Sequence, residues 1–246
     1  MSARQQFAST TSELAEQTLG NIAVQLPGAT AVFRDLKLDF CCNGNISLRQ
    51  AALNKNIDLT DVLGQLAALE RPSPPPDETT TDVLIDHILT RYHDVHRAQL
   101  PELIRMAHRV ETVHKSNPQV PAGLAQLLED IQQVMLEHMA KEEQVLFPML
   151  KAGGNPFVGQ PIGMMRSEHI SHGAALDRVN ALTHDATPPP GACNTWRALY
   201  TGIAQFNEDL INHIHLENNV LFPKFEASAV PEKSGCGGGG NGCGCS

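Results

Sequence analysis

Between residues 78 and 228, apolar side chains recur at alternating steps of three and four, and this predicts four helices, each with one buried seam. The first seam is Leu89, His93, His96, Leu100, Leu103, Ala107 and Val110. The second is Leu124, Leu128, Ile131, Met135, His138, Glu142, Val145 and Met149. Ile162, Met165, His169, His172, Leu176 and Val179 form the third. Leu199, Ile203, Phe206, Leu210, His213, Glu217 and Val220 form the fourth. Helix breakers separate them at Asn117-Pro118 to Pro121, at Gly153-Gly154-Asn155-Pro156 and at Pro188-Pro189-Pro190-Gly191. Pro101 lies inside the first seam and is expected to bend that helix rather than end it. The expected fold class is all-α.

The polar members of these seams carry the chemical information. Each seam is apolar except for one or two histidines and, on the second and fourth helices, a glutamate. Burying such groups without partners costs several kcal/mol each, so a shared ligand is the economical explanation. The pairs His138/Glu142 and His213/Glu217 are each four residues apart, about one helical turn, so both members share a face. Val-Leu-Phe-Pro follows each pair, at 145–148 and 220–223. His93 precedes His138 by 45 residues and His169 precedes His213 by 44, the mark of a duplicated helical hairpin. Both first helices of the hairpins also carry His-x-x-His, at His93/His96 and His169/His172.

Four imidazoles and two carboxylates divide evenly over two metal ions. Each ion takes two of His93, His138, His169 and His213, while Glu142 and Glu217 bridge. A solvent-derived oxo or hydroxo bridge then leaves one position per ion open to a small molecule. Nitrogen and oxygen donors without thiolate favour iron or manganese over structural zinc, and inward-facing His and carboxylate sets in four-helix bundles recur in di-iron proteins. A lone buried histidine is more simply a hydrogen-bonded core residue; six residues at repeated spacing reverse that preference.

Ahead of the bundle, Pro-rich residues 71–77 read as a linker, setting off a short tail (1–14) and a small helical module (15–70) from the bundle (78–228). Residues 229–246 are too glycine-rich to pack and read as a flexible tail holding Cys236, Cys243 and Cys245. A formal charge of −9 argues against nucleic acid or an anionic membrane as partner. No segment is apolar for the length of a membrane span, and the N-terminus lacks the apolar core of a signal peptide, so a cytoplasmic protein is expected. In that reducing compartment the six cysteines are not a disulfide framework. Cys193 is expected to pack near the start of the fourth helix.

Several motifs are similar to a known family. Arg91-Tyr92-His93-Asp94, the segment His138 to Pro148, Ser167-Glu168-His169 and the segment His213 to Pro223 resemble the hemerythrin-like domain of the di-iron proteins of iron–sulfur cluster repair (the RIC, ScdA or YtfE family). Leu26-Pro-Gly-Ala-Thr-Ala-Val-Phe-Arg34 and Asp39-Phe-Cys41-Cys42-Asn-Gly44 resemble that family's N-terminal domain. The resemblance implies a hemerythrin-like up-down four-helix bundle after a small helical ScdA-type domain. It also implies an oxo- and carboxylate-bridged pair of iron ions at His93, His138, Glu142, His169, His213 and Glu217. The implied role is restoration of iron–sulfur proteins damaged by nitric oxide or reactive oxygen species. Alternatives are a nitric oxide or dioxygen scavenger and a nitric oxide reductase at the same centre, and a homodimer stays open.

His172 departs from the family pattern. It is expected in packing or in a hydrogen bond behind the ligands, with coordination as the alternative, and His96 is read the same way. Glu168 is a candidate for the access path or a proton relay, against a solvated charge. Vicinal Cys41-Cys42, in a turn marked by Asn43-Gly44, is a candidate redox or iron-handling pair, since a disulfide between neighbours is strained and easily reduced.

Overall fold

The computed structural model describes residues 13–26, 28–69 and 80–226. The 71–77 linker, the 229–246 tail with its three cysteines and nearly all of the 1–14 tail lie outside the described residues. Apart from one isolated bridge between Thr18 and Ser47, every regular element among them is helical.

Four short helices come first: α1 (Leu19–Gln25), α2 (Ala29–Asp35), α3 (Leu48–Lys55) and α4 (Leu59–Ala67). Side chains cap three of them, each accepting a bond from a first-turn amide. Thr18 Oγ1 takes Asn21 N at 3.3 Å, Ser47 Oγ takes Gln50 N at 3.2 Å and Asp58 Oδ1 takes Thr60 N at 2.8 Å. The bundle follows as four rods. The first is α5 (Thr81–Ile88) continuing into α6 (Asp94–Val113), and Pro101 is accommodated without a break. The second is α7 (Leu124–Lys141) continuing into α8 (Phe147–Lys151). The third is α9 (Gly159–Thr183), and the fourth is α10 (Asn194–Leu216) continuing into α11 (Pro223–Glu226).

Three of the four rods are interrupted by a wide π-turn, at Leu89–His93, Glu142–Leu146 and Glu217–Leu221. In each the closing bond reaches back five residues: Asp94 N to Leu89 O, Phe147 N to Glu142 O, Phe222 N to Glu217 O. The extra residue corrects two of the expected seams. Val145 is 54% exposed and Leu146 is buried in its place; beyond it Leu150, not Met149, is buried. Leu221 likewise replaces Val220. Prolines 148 and 223 suit this local widening, because a helical proline lacks an N–H and crowds the carbonyl four residues back. The third rod has no such turn, and all six expected seam residues of α9 are buried.

The apolar interior forms two clusters with the His/Glu layer between them. The smaller joins Leu84, Ile85 and Ile88 to Leu146, Phe147, Leu150, Ile162, Leu221 and Phe222. The larger runs without interruption from Leu19, Phe33, Phe40 and Leu66 of the N-terminal helices to Leu103, Leu128, Leu176, Trp196 and Ile214 of the bundle. The small module therefore shares its core with the bundle. It lies over α9, α10 and the Glu217–Leu221 turn, and at that turn Gly20 comes so close that an added Cβ would stand 2.4 Å from Asn219 Oδ1. Cys193 departs from expectation: it is exposed at the start of α10.

Candidate metal centre

The π-turns place the polar seam residues. The first ends on His93, and the other two begin on Glu142 and Glu217. All six residues are at most 2% exposed. Donor atoms of His93, Glu142, His213 and Glu217 lie within 4.8 Å of one another, and so do those of His138, Glu142, His169 and Glu217. The two groups share both glutamates, one oxygen turned to each side. Glu142 Oε2 faces His93 Nε2 and its Oε1 faces His138 Nε2, both at 3.4 Å. Glu217 Oε1 faces His213 Nε2 at 3.2 Å and its Oε2 faces His169 Nε2 at 3.1 Å.

These atoms converge without satisfying one another. Both Glu142 oxygens and Glu217 Oε2 lack a well-aligned hydrogen bond although imidazole nitrogens are close. The paired Nε2 atoms are 3.2 Å apart in His93/His213 and 3.1 Å in His138/His169. Two donors at right angles, each about 2.1 Å from one ion, stand about 3.0 Å apart. The spacing and the unpartnered lone pairs fit two metal ions bridged by two carboxylates.

Electrostatics agree. Burial and the neighbouring Glu217 push the Glu142 carboxyl up, but His138 and His93 outweigh them and hold it below the usual range. Burial also opposes Glu217, which His213 and His169 bring well below that range. Burial would depress His138, but Glu142 beside it raises it to about 9. The carboxylates thus draw positive charge into a dry site, and a divalent cation supplies that charge while displacing protons.

Three of the four histidines are held from behind. His93 Nδ1 donates to Glu143 Oε1 at 2.7 Å, and Arg97 reaches the same oxygen at 2.6 Å. His138 Nδ1 donates to Glu168 Oε2 at 2.8 Å, and Lys141 pairs with the other oxygen. His169 Nδ1 donates to Asn218 Oδ1 at 2.9 Å, and Asn218 Nδ2 donates to the Cys41 carbonyl at 2.8 Å. Such bonds fix the tautomer and aim Nε2 inward. Nδ1 of His213 has no hydrogen-bond partner among the described residues; its ring lies against Tyr92, with centroids 5.2 Å apart and planes 6° from parallel. Behind Tyr92 a cleft of about 440 Å³ opens, lined also by Val83, Leu84, His87 and His215. The aromatic rings of the repeated motif cover two of the other three: Phe147 stacks on His93 and Phe222 on His169.

The secondary candidates sort clearly. Glu168 backs His138 rather than standing free in solvent. His96 and His172 are buried and close, with ring centroids 5.5 Å from His213 and 4.8 Å from His138 respectively, but belong to neither donor group. Burial, and the histidines nearby, depress them to about 2 and about 3, so both are neutral. Cys41 and Cys42 are free thiols with sulfurs 3.5 Å apart, and Cys42 Sγ donates to the His169 carbonyl at 3.4 Å. Hydrogen bonding to Cys42, and burial, push the Cys41 thiol well up. Gly44 closes the cysteine turn where an added Cβ would meet the Phe40 carbonyl at 2.3 Å.

Sequence reasoning missed Glu143 and Asn218. The repeat contains their signal: each directly follows a glutamate shared by the two donor groups, and each backs the first-helix histidine of its own hairpin.

Residues 84–225 match the hemerythrin HHE cation binding domain, and residues 15–70 match the ScdA N-terminal domain, described as of unknown function. The chain is 49% identical over 212 residues to the iron-sulfur cluster repair protein YtfE of Dickeya chrysanthemi, covering 85% of this chain and 96% of that protein. It is 49% identical over 211 residues to the protein of the same name in Yersinia pestis, covering 85% of this chain and 96% of that one.

Proposed function

The chain belongs to the hemerythrin-type family of iron–sulfur cluster repair proteins, and from that premise we propose that it is a non-haem di-iron protein that helps restore iron–sulfur clusters damaged by nitric oxide or oxidative stress. The observation that carries this reading is the pair of donor groups sharing Glu142 and Glu217. His93 and His213 would hold one ion and His138 and His169 the other, with Glu142 and Glu217 available to both. Two irons bound there would supply redox chemistry toward a small ligand such as nitric oxide or peroxide. The protein's own residues do the rest. Glu143, Glu168 and Asn218 orient the imidazoles; Phe147, Phe222 and Tyr92 exclude water; neutral His96 and His172 line the dry layer without adding charge.

Damaged iron–sulfur proteins are the clients, and the free Cys41-Cys42 pair against the His169 turn suits handling of iron or redox equivalents in a reducing cytoplasm. No described helix is long and apolar enough to cross a membrane.

The test is an anaerobic assay with metal-loaded protein and nitric-oxide-damaged aconitase. About two irons per chain and recovery of aconitase activity support repair. Gas uptake with no recovery replaces repair by scavenging, and nitrous oxide beyond one turnover replaces it by nitric oxide reduction. Absence of iron sinks all three.

A further inference from the structure

A second group of reactive side chains lies at the end of the bundle remote from the His/Glu layer. There the N-terminus of α10 meets the C-terminus of α6. Cys193 is the residue before α10, and His114 is the residue after α6. Cys193 Sγ makes no capping bond to its helix; it stands 3.2 Å from His114 Nε2. The Trp196 ring backs the imidazole at a centroid separation of 5.0 Å. Cys193 is exposed to a cleft of about 350 Å³ lined also by Arg109, Val110, Val113 and Thr195. Arg109 has no ion-pair or hydrogen-bond partner among the described residues. A nucleophile, a base and an uncommitted guanidinium therefore share one open cavity. Along α10 the cysteine is 20 residues from His213, about 30 Å at 1.5 Å per residue.

We propose that Cys193 and His114 form a reactive thiol site that takes up low-molecular-weight anionic disulfides. The imidazole is in reach of the thiol proton. Each helix end complements the charge left after that transfer: the N–H groups of α10 beside a thiolate, the C=O groups of α6 beside an imidazolium. The thiolate attacks one sulfur of the disulfide, and the S–S bond breaks. Its electron pair leaves with the other sulfur, which takes the proton from His114. Cys193 ends as a mixed disulfide, and the released half ends as a thiol. Arg109 is placed to attract a carboxylate on the incoming molecule.

The experiment uses the full-length, metal-loaded protein with oxidised glutathione, and with cystamine as the cationic counterpart. Peptide mapping by mass spectrometry follows the adduct at Cys193. The expected rate is at least about tenfold above that of a short peptide spanning residues 189–197, and His114→Gln removes that advantage. Oxidised glutathione should react faster than cystamine, and Arg109→Gln should abolish the preference. Iron content should not change on modification. A Cys193 rate equal to the peptide's, or one indifferent to His114→Gln in a variant with unchanged melting, overturns the proposal. The peptide comparison needs no variant and keeps the test decisive if His114→Gln does not fold.

Discussion

The two donor groups are built from one repeated plan and finished differently. At the His138/His169 position both imidazoles are held from behind, by Glu168 with Lys141 and by Asn218 on the Cys41 carbonyl. At the His93/His213 position only His93 is held, by Glu143 and Arg97. The repeat shows where the plans diverge. Tyr92 and Glu168 each directly precede a first-helix histidine, but Tyr92 offers His213 a ring face where Glu168 offers His138 a carboxylate. Arg97 and Gly173 are likewise equivalent, each four residues past that histidine. The arginine steadies Glu143, whereas the glycine leaves room for Cys42, whose Sγ is 3.6 Å from where a Cβ would be. One position is thus braced and joined to the N-terminal module; the other is looser and backs onto the Tyr92 cleft. The difference teaches that a duplicated ligand set need not produce two equivalent ions: the residues behind the ligands decide how firmly each is held.

The largest expected effect tests what the positions share. Glu217→Ala should take metal from both, dropping iron from about two per chain toward none by elemental analysis. His213→Ala should empty only one. Retention of one ion by Glu217→Ala would break the bridging arrangement.

Acid should erase the contrast. Burial depresses His215 to about 4, below its ordinary value near 6.5. Its Nδ1 accepts a hydrogen bond from Asn219, and its ring meets Phe40 edge-on at 5.2 Å. A folded value lowered by burial means that the neutral ring stabilises. That contribution is whole above about pH 6.5 and is lost as pH falls toward 4, on the order of 3 kcal/mol in all. Amide exchange in α1 should accelerate over that window. Chelator removal of the braced ion should speed up with it, because the Asn218 brace is anchored on the same turn. A flat exchange profile between pH 7 and 4 counts against this coupling.

Asn218→Ala or Glu168→Gln should weaken only the braced position, by about ten- to a hundredfold in a chelator competition. Wild-type protein should release its first ion from the His93/His213 side, and either variant should narrow the gap. Equal release rates in the wild type would mean that the braces do not act on affinity.

The smallest effect concerns the turn that aims Glu142 at both ions. Val145→Ala should change melting by no more than about 0.5 kcal/mol, because the wide turn leaves Val145 exposed. A loss of several kcal/mol would restore a straight helix there and remove the extra residue.

That these six side chains would converge was legible, because burying so many polar groups in repeated apolar seams demands a common partner. The all-α architecture followed from the same periodicity and its breakers. The π-turns were not legible: Val145 and Leu146 are both apolar, as are Val220 and Leu221, so either register gives a plausible seam. Glu143 and Asn218 were hidden for a different reason. A carboxylate or amide next to a buried ligand reads as a solvated side chain until the opposing helix is in place. The shared core of the two modules was also out of reach, since a proline-rich linker suggests separation whatever the flanking surfaces do. His96 and His172 read as seam residues from spacing alone, and they are buried; their exclusion from the donor groups depends on ångström-scale placement that spacing does not encode.

The wide turns have a consequence for how the chain can change over generations. An added residue rotates all that follows by about 100°, so the rod beyond each turn meets its neighbours on a face set independently of the ligands. Leu146 and Leu150 can be exchanged for other apolar residues to suit a new end cluster without re-aiming His138, while Phe147, stacked on His93, is the point where the two regions still meet. The insertion works as a joint between two stretches of sequence under different selection, leaving each free to drift while the other is held.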